Sequence, residues 1–328
     1  MVEEIRRRYQ LGIVRHWDDL GGSQTRNLRL TCDRHEVVAR IHRRSTGQPR
    51  LAAIHTARTA TRDAGLPTPA PLPAVDGSTM ITLDDGHLAE VEPYLHWTQR
   101  MNTAPLLHSG FTLLGRLHDA LRTAPLPPAA DDAPHANHLH AMETTARVAD
   151  GVERIRSWGD PELITFADRA RDHLERAISA EAPLMDDQIR QVVHGDFWDN
   201  NVLFADDQPV AIIDFDFMGR RARIDDLALT IYFWLLQPGR ALPDARDREQ
   251  VAEFVDAYDT GTTLPLSTAE RMALPLAVAR QPGWSLGRWI PSLDEPEARR
   301  HAADAMAEFA VAAQVLTDLE RWQATIGR

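Results

Sequence analysis

The chain contains no lysine; all 36 of its basic residues are arginine. Any phosphate contact that a lysine commonly makes must therefore fall to a guanidinium, which can grip two oxygens at once. A single cysteine, Cys32, excludes an internal disulfide and fits a reducing compartment. No stretch approaches the roughly 18 apolar residues needed to cross a bilayer, and residues 1–8 are charged, without the apolar run of a secretory signal. A cytoplasmic location with no membrane partner is expected. Positive charge is scarce as well: the net charge is −12, which argues against a nucleic-acid partner. There is no G-x-G-x-x-G loop, no H-E-x-x-H pair of metal ligands and no internal repeat.

The charge is unevenly placed. Residues 1–63 hold 13 Arg against 7 Asp or Glu, which leaves −18 for the remainder. Surface solvation alone would produce such a division. It also suits an anion held by the first segment and a metal or cationic substrate held by the rest. At 328 residues the chain is expected to form two packed lobes.

Residues 25–32 and 36–43 read as short strands separated by the turn Asp33-Arg34-His35. Residues 49–64 read as a helix stopped at Gly65, because Pro67, Pro69, Pro71 and Pro73 cannot continue it. Strands are expected at 79–83 and 87–94. Beyond that, helical patterns dominate at 106–122, 143–158, 161–180, 224–236, 247–259, 268–290 and 295–325, with Pro282-Gly283 interrupting the sixth. Residues 123–140, with His138-Leu139-His140, read as a surface excursion. The fold class is α+β: a β-rich lobe over 1–94 and a mostly helical lobe over 95–328, with a hinge near Glu92-Pro93.

One strand pair interrupts the helical part. Gln191-Val192-Val193 runs into His194-Gly195-Asp196, and Val202-Leu203-Phe204 follows Asn201. Asp206-Asp207 then turns the chain, and Val210-Ala211-Ile212-Ile213 leads into Asp214-Phe215-Asp216. Phosphoryl transfer needs a carboxylate to orient and deprotonate the acceptor hydroxyl, and oxygen ligands for Mg²⁺ on the nucleotide phosphates. A His-x-Asp loop, an Asn five positions after its Asp, and an Asp-Phe after a further strand pair supply those groups in the order used by kinases.

His194-Gly195-Asp196-Phe197-Trp198-Asp199-Asn200-Asn201 resembles the HGDxxxxN loop of the aminoglycoside phosphotransferase and choline kinase superfamily. Ile213-Asp214-Phe215-Asp216 resembles that family's metal motif, and Asp226-Leu227-Ala228 the helix start that follows it. Gly115-Arg116-Leu117-His118 and Gly65-Leu66-Pro67-Thr68-Pro69 resemble two further family segments. The resemblance covers about residues 20–236 and implies a bilobal, protein-kinase-like fold that uses ATP and Mg²⁺. It implies that Asp196 is the catalytic base and that Asn201 and Asp214 bind Mg²⁺. Under the same reading His194 holds the loop by hydrogen bonds, Asp226 caps its helix and braces the loop, and Asp216 supports the metal or meets a second one.

On the nucleotide side, Leu20-Gly21-Gly22-Ser23 permits close backbone approach to phosphate, so Gly22 and Ser23 are candidate contacts; an ordinary turn explains the glycines equally well. Alternation along 36–43 puts Val38, Arg40 and His42 on one face. Arg40 is expected to take the phosphates in place of lysine, Val38 to face adenine, and the backbone at Val91-Glu92 to meet the base. The glutamate that kinase-like folds place on the next helix is missing; its position falls near Ala53 to His55.

The expected partner is a small-molecule hydroxyl compound, amine-bearing on the charge argument: an aminoglycoside, an amino sugar, or an amino alcohol such as homoserine or choline. Candidate substrate residues are Asp199, Asp216, Asp225, Trp198, Trp234, Trp284 and Trp289. Trp284 and Trp289 stand about 140° apart on an ideal helix and are not expected to form a joint cage. A nucleotide-binding pseudokinase and a metal-dependent hydrolase using His194, Asp196 and Asp214 remain open alternatives. The oligomeric state has no signature in the sequence.

Overall fold

The structure, a computed structural model, describes residues 1–22, 25–132 and 140–328. Ser23 and the pair His138-Leu139 lie outside the described residues. The first region is an antiparallel sheet. α1 (Val2–Arg8) precedes β1 (Val14–Gly21), β2 (Thr25–Cys32) and β3 (Glu36–His42); α2 (Gln48–Asp63) follows, and β4 (Ile81–Thr82) and β5 (Leu88–Pro93) complete the order β1-β2-β3-β5-β4. β3 is central. Its two-residue period sends Val37, Ala39 and Ile41 into an apolar core with Ile5, Leu28, Leu30 and Val91. Burying each such side chain contributes about 1.5–3 kcal/mol. The opposite face turns Val38 and Arg40 toward a cleft.

α1 and β1 depart from the expectation that the strands begin at Thr25. β1 is an edge strand, exposed along most of its length, so its sequence carries no apolar alternation. The glycine turn is thus a hairpin between β1 and β2. α2 is capped at Ala64 and followed by Gly65 at φ +74°, the left-handed stop a glycine provides. The proline corner after it is anchored across the molecule: Ile212 N–H donates to Pro67 O at 2.7 Å, and Thr68 Oγ1 donates to Ile212 O at 2.7 Å.

β6 (Gln99–Arg100) opens the helical region, followed by α3 (Ala104–Thr123), α4 (Ala141–Ser157) and α5 (Pro161–Glu181). Next come β7 (Arg190–Val193), β8 (Val202–Ala205), β9 (Gln208–Ile212), β10 (Gly219–Ala222) and α6 (Ile224–Leu235). Two small sheets form, β6-β8-β9 and β7-β10. Asp206 and Asp207, at φ 51° and 59°, give the β8–β9 hairpin the left-handed residues of a type I′ turn. α7 (Ala245–Gly261), α8 (Thr268–Arg280), the single turn α9 (Ile290–Ser292), α10 (Glu295–Thr317) and α11 (Leu319–Ile326) complete the chain. One core joins α3, α6, α7 and α8; another joins α4, α5 and α10.

Two expected helices are divided. The segment 268–290 ends as a regular helix at Arg280, and Ser285–Trp289 winds as a π-helix. The segment 295–325 breaks at Asp318, whose φ −97° and ψ 22° leave the helical basin. The α+β class, with a β-rich first region and a helical remainder, stands. No described helix is long and apolar enough to cross a membrane.

Candidate active site

β7 delivers His194-Gly195-Asp196 into the cleft. Gly195 sits at φ +79°, and a Cβ there would lie 2.1 Å from Phe217 O, so both the backbone conformation and the space require glycine. Asp226, in the first turn of α6, grips this loop: Oδ2 accepts from His194 N–H at 2.9 Å and Oδ1 from Gly195 N–H at 2.8 Å. The α6 cap position is Arg223, with no side-chain cap, so these two Asp226 bonds face the loop rather than the helix end. Behind Asp226 stand His118, 3.2 Å from Oδ2, and Tyr258, whose hydroxyl lies 2.9 Å from His118 Nδ1.

His194 is fully buried and bonded at both ring nitrogens. Nε2 donates to Ile213 O at 3.0 Å, and Nδ1 accepts the Asp196 N–H at 3.3 Å. Burial pushes its pKa down to about 4, so the ring is neutral near pH 7. It ties the His194–Asn201 loop to the strand end carrying Asp214. Asp196 Oδ2 accepts from Asn201 Nδ2 at 2.7 Å, and the same amide also donates to Asp196 O at 2.8 Å. The Ile213 N–H donates to Asn201 O at 3.0 Å, joining the two loops again. Asp214 itself adopts φ 62°, ψ 67°, a strained conformation for a residue with a side chain.

Arg40 crosses the cleft. Its Nη2 lies 3.1 Å from Asp214 Oδ1 and 3.1 Å from Asp216 Oδ2, and its Nε 3.7 Å from Glu90 Oε1. Glu90, wholly buried on β5, is the carboxylate that the sequence reading sought on α2. It also meets Arg58 Nη1 at 2.8 Å, His55 Nε2 at 2.7 Å and His42 Nε2 at 3.4 Å. Strand β3 supplies Arg40 and His42, helix α2 supplies Arg58 and His55, and the acid comes from strand β5 rather than from the helix. Arg58, with neighbours including Arg40, outweighs burial and holds the Glu90 carboxyl well below the usual range. Burial and Asp216 push Asp214 up instead, while Arg40 favours charged Asp216. Arg50 of α2 donates to Asp216 O at 3.1 Å and Met218 O at 2.5 Å, pinning the helix onto the turn after Asp214.

A cavity of about 760 Å³ joins these groups, lined on the nucleotide side by Gly22, Val38, Arg40 and Glu92. Val91 is a correction. It is fully buried, its carbonyl accepts from Leu72 N–H at 2.6 Å, and it is not among the residues that line the cavity. Pairing of β3 and β5 runs on to Pro93, and the cavity wall there is Pro93, Tyr94 and Leu95. The Glu92 side chain is paired with Arg58.

On the acceptor side, Trp198 and Trp284 line the cavity, whereas Asp199, Asp216 and Trp289 are not among its lining residues. Asp225 is buried and paired with Arg280. Trp284 and Trp289 do meet, edge to face at 5.0 Å, because a π-helical turn brings residues five apart together. Trp289 also stacks on His301. Sequence reasoning missed Glu90, Tyr232, Ser285 and Glu308; the last three lie in the cavity wall.

Residues 19–274 match the sequence model of the phosphotransferase enzyme family, and the chain belongs to that family. Among curated proteins it is similar to the homoserine kinase of Bradyrhizobium sp. BTAi1, 29% identical over 65% of this chain and 59% of that one. It is also similar to the homoserine kinase of Methylocella silvestris, 32% identical over 42% of this chain and 43% of that one. The chain thus spans about half the length of these two relatives. Among solved structures, an amicoumacin kinase in complex with AMP-PNP and Ca²⁺ superposes with a TM-score of 0.67 at 13% identity, over 93% of this chain and 92% of that one. A microcompartment-associated aminopropanol kinase gives 0.66 at 18%, over 97% and 98%. These two share the fold.

Proposed function

We propose that the protein is an ATP- and Mg²⁺-dependent kinase that phosphorylates the hydroxyl of a small amine-bearing molecule. The observation that carries this reading is the convergence of Asp196, Asn201, Asp214 and Arg40 on one cleft, with Asp196 fixed by Asn201 at 2.7 Å. Asp196 orients the acceptor hydroxyl and takes its proton as the oxygen bonds to the γ-phosphorus and the bond to the β-phosphate oxygen breaks, releasing ADP. Arg40 and the Gly21-Gly22 turn would meet the phosphates. The donor set suits Mg²⁺, which takes one or two protein oxygens and completes its shell with phosphates and water; Asn201 and Asp214 would supply them. When bound, the metal neutralises charge on the transferring phosphoryl group. His194, neutral and bonded at both nitrogens, holds the loop and moves no proton.

The intact carboxylates weigh against a pseudokinase. Among the described residues no group of three or more His, Cys, Asp or Glu is arranged to hold a metal, as the hydrolase alternative would need. L-Homoserine is the first acceptor to test, given the names of the relatives, followed by aminopropanol and aminoglycosides. ADP release that requires both Mg²⁺ and one of these acceptors is the expected result. Phosphate-ester or amide hydrolysis without ATP would overturn it. We assign the protein to the cytoplasm.

A further inference from the structure

The acceptor end of the cavity contains a carboxylate that the phosphotransfer machinery does not use. Glu308 of α10 lines the cavity, and its Oε2 accepts from the Tyr232 hydroxyl at 2.9 Å and from Ser285 Oγ at 3.0 Å. Both donors are neutral. Two other cavity carboxylates have cationic partners, Glu92 with Arg58 and Asp214 with Arg40. Among the described residues no arginine or histidine forms an ion pair with Glu308, although Tyr232 beside it is nine-tenths or more buried. A half-buried carboxylate without a countercharge is costly, and a cationic ligand offsets that cost.

The surroundings connect this group to the reacting end. Trp198, two residues beyond Asp196, packs its ring 4.4 Å from that of Phe233, and Phe233 adjoins Tyr232 on α6. Ser285 opens the π-helical turn, with Trp284 just before it. An acceptor lying along the Trp198–Phe233 wall would have its hydroxyl at Asp196 and its other end at Glu308. Burial and the Glu308 charge push the Tyr232 phenol well above its ordinary range, so it remains a donor across the physiological range.

We propose that Glu308, held by Tyr232 and Ser285, is the seat of the acceptor's primary ammonium group, and that it selects amino alcohols over plain alcohols and trimethylated amines. The proposal rests on the phosphotransferase reading. A primary ammonium can donate N–H bonds to the carboxylate; a trimethylammonium has none to give.

The test compares L-homoserine, 3-aminopropan-1-ol, its N,N,N-trimethyl derivative and propan-1-ol as acceptors in ADP release, with Glu308→Gln and Ser285→Ala beside the wild type. A lost charge-assisted bond is worth about ten- to a hundredfold. The expected result is that Glu308→Gln lowers kcat/KM by that factor for the primary amines, mainly through KM, and leaves the other two acceptors within about twofold. Ser285→Ala should act in the same direction, more weakly. Equal losses for all four acceptors, or no loss for the amines, would overturn the seat. If wild-type protein turned over none of them, the phosphotransferase reading would fail for this acceptor class. Calorimetric titration with 3-aminopropan-1-ol then reads the seat separately: binding abolished by Glu308→Gln supports it, and no binding to wild type overturns it.

Discussion

Asn201 donates through one amide nitrogen to both the side-chain oxygen and the backbone carbonyl of Asp196, at 2.7 and 2.8 Å. The residue expected to hold the metal therefore also fixes the residue expected to handle the proton. Asp196→Ala should lower kcat by about two to four orders of magnitude, the range for a positioned general base. Nucleotide affinity should stay nearly intact, because in the proposed function Asp196 serves the acceptor and not ATP. Asn201→Ala should lower kcat and also raise the Mg²⁺ concentration needed for half-maximal rate. Steady-state ADP release over a metal titration, with fluorescent-nucleotide binding alongside, separates the two. Undiminished turnover in Asp196→Ala would remove the base assignment.

Glu90 is a second point of convergence, since Arg40, Arg58, His42 and His55 all face it from β3 and α2. Glu90→Gln leaves those groups without their shared anion, and breaking a buried pair in this way costs about 3–5 kcal/mol. Arg40 would keep Asp214 and Asp216 but lose its Glu90 contact, so the ATP KM should rise as stability falls. The pH sense follows from the depressed pKa. The charged Glu90 stabilises the fold above the ordinary glutamate value of 4.5, and that contribution fades as the pH falls below it. Urea unfolding of wild type and Glu90→Gln from about pH 6 down to about pH 2.5 would show the two curves parallel above pH 4.5 and converging below it. A constant gap would count against the electrostatic account.

The difference between what could and could not be read from the chain lies in sequence separation. The Asp196-to-Asn201 interval is local, and a tight loop brings residues five apart together whatever surrounds it. The Asp214 loop was legible because one hairpin carries the chain back. Arg40 was legible by alternation on β3, and the lack of an acid on α2 was visible too. Its replacement by Glu90 was not, because strand pairing decides which residue of β5 lies beside Arg40. Val91 was misplaced because the sequence does not say how far β3 and β5 remain paired. The contact between Trp284 and Trp289 was not legible because 100° per residue does not hold across a segment that winds as a π-helix, although Trp289 still does not line the cavity. Glu308 offered no signal at all: it is one of three glutamates on α10, brought to the cavity by packing alone.

His194 carries a prediction with the opposite chemistry from Glu90 but the same pH sense. Its folded pKa is about 4 against the ordinary 6.5. Between those values the unfolded chain binds the proton and the folded chain does not, so stability rises with pH across that window. The group's full contribution of about 3 kcal/mol is present above pH 6.5 and lost as the pH falls to 4. His194→Gln keeps a donor and an acceptor without a titration in this range. It should be less stable at pH 7, with a flatter dependence on acidification. Urea midpoints at intervals from pH 7.5 to 4 measure this, and parallel curves would refute it.

Gly195 offers the sharpest test of the loop, because its substitution adds one methyl group and no charge. At φ +79° an alanine is strained, and its Cβ would stand 2.1 Å from Phe217 O and 3.2 Å from Arg221 Nη1. The loop can relieve that contact only by moving away from the Phe217 carbonyl, which would loosen the two amides that Asp226 holds. A residue forced into this region costs about 1–3 kcal/mol, so Gly195→Ala should still fold, with a lower melting temperature. Turnover should fall further than stability does, since an error of about 1 Å in a catalytic group can cost a hundredfold in rate. Gly159→Ala supplies the comparison: it has a similar φ of +71°, nothing within 4 Å of the added methyl, and a place far along the chain in the α4–α5 turn. Its destabilisation should be of the same order without the loss of turnover. Equal turnover in the two variants would show that the Gly195 contact does not set the position of Asp196.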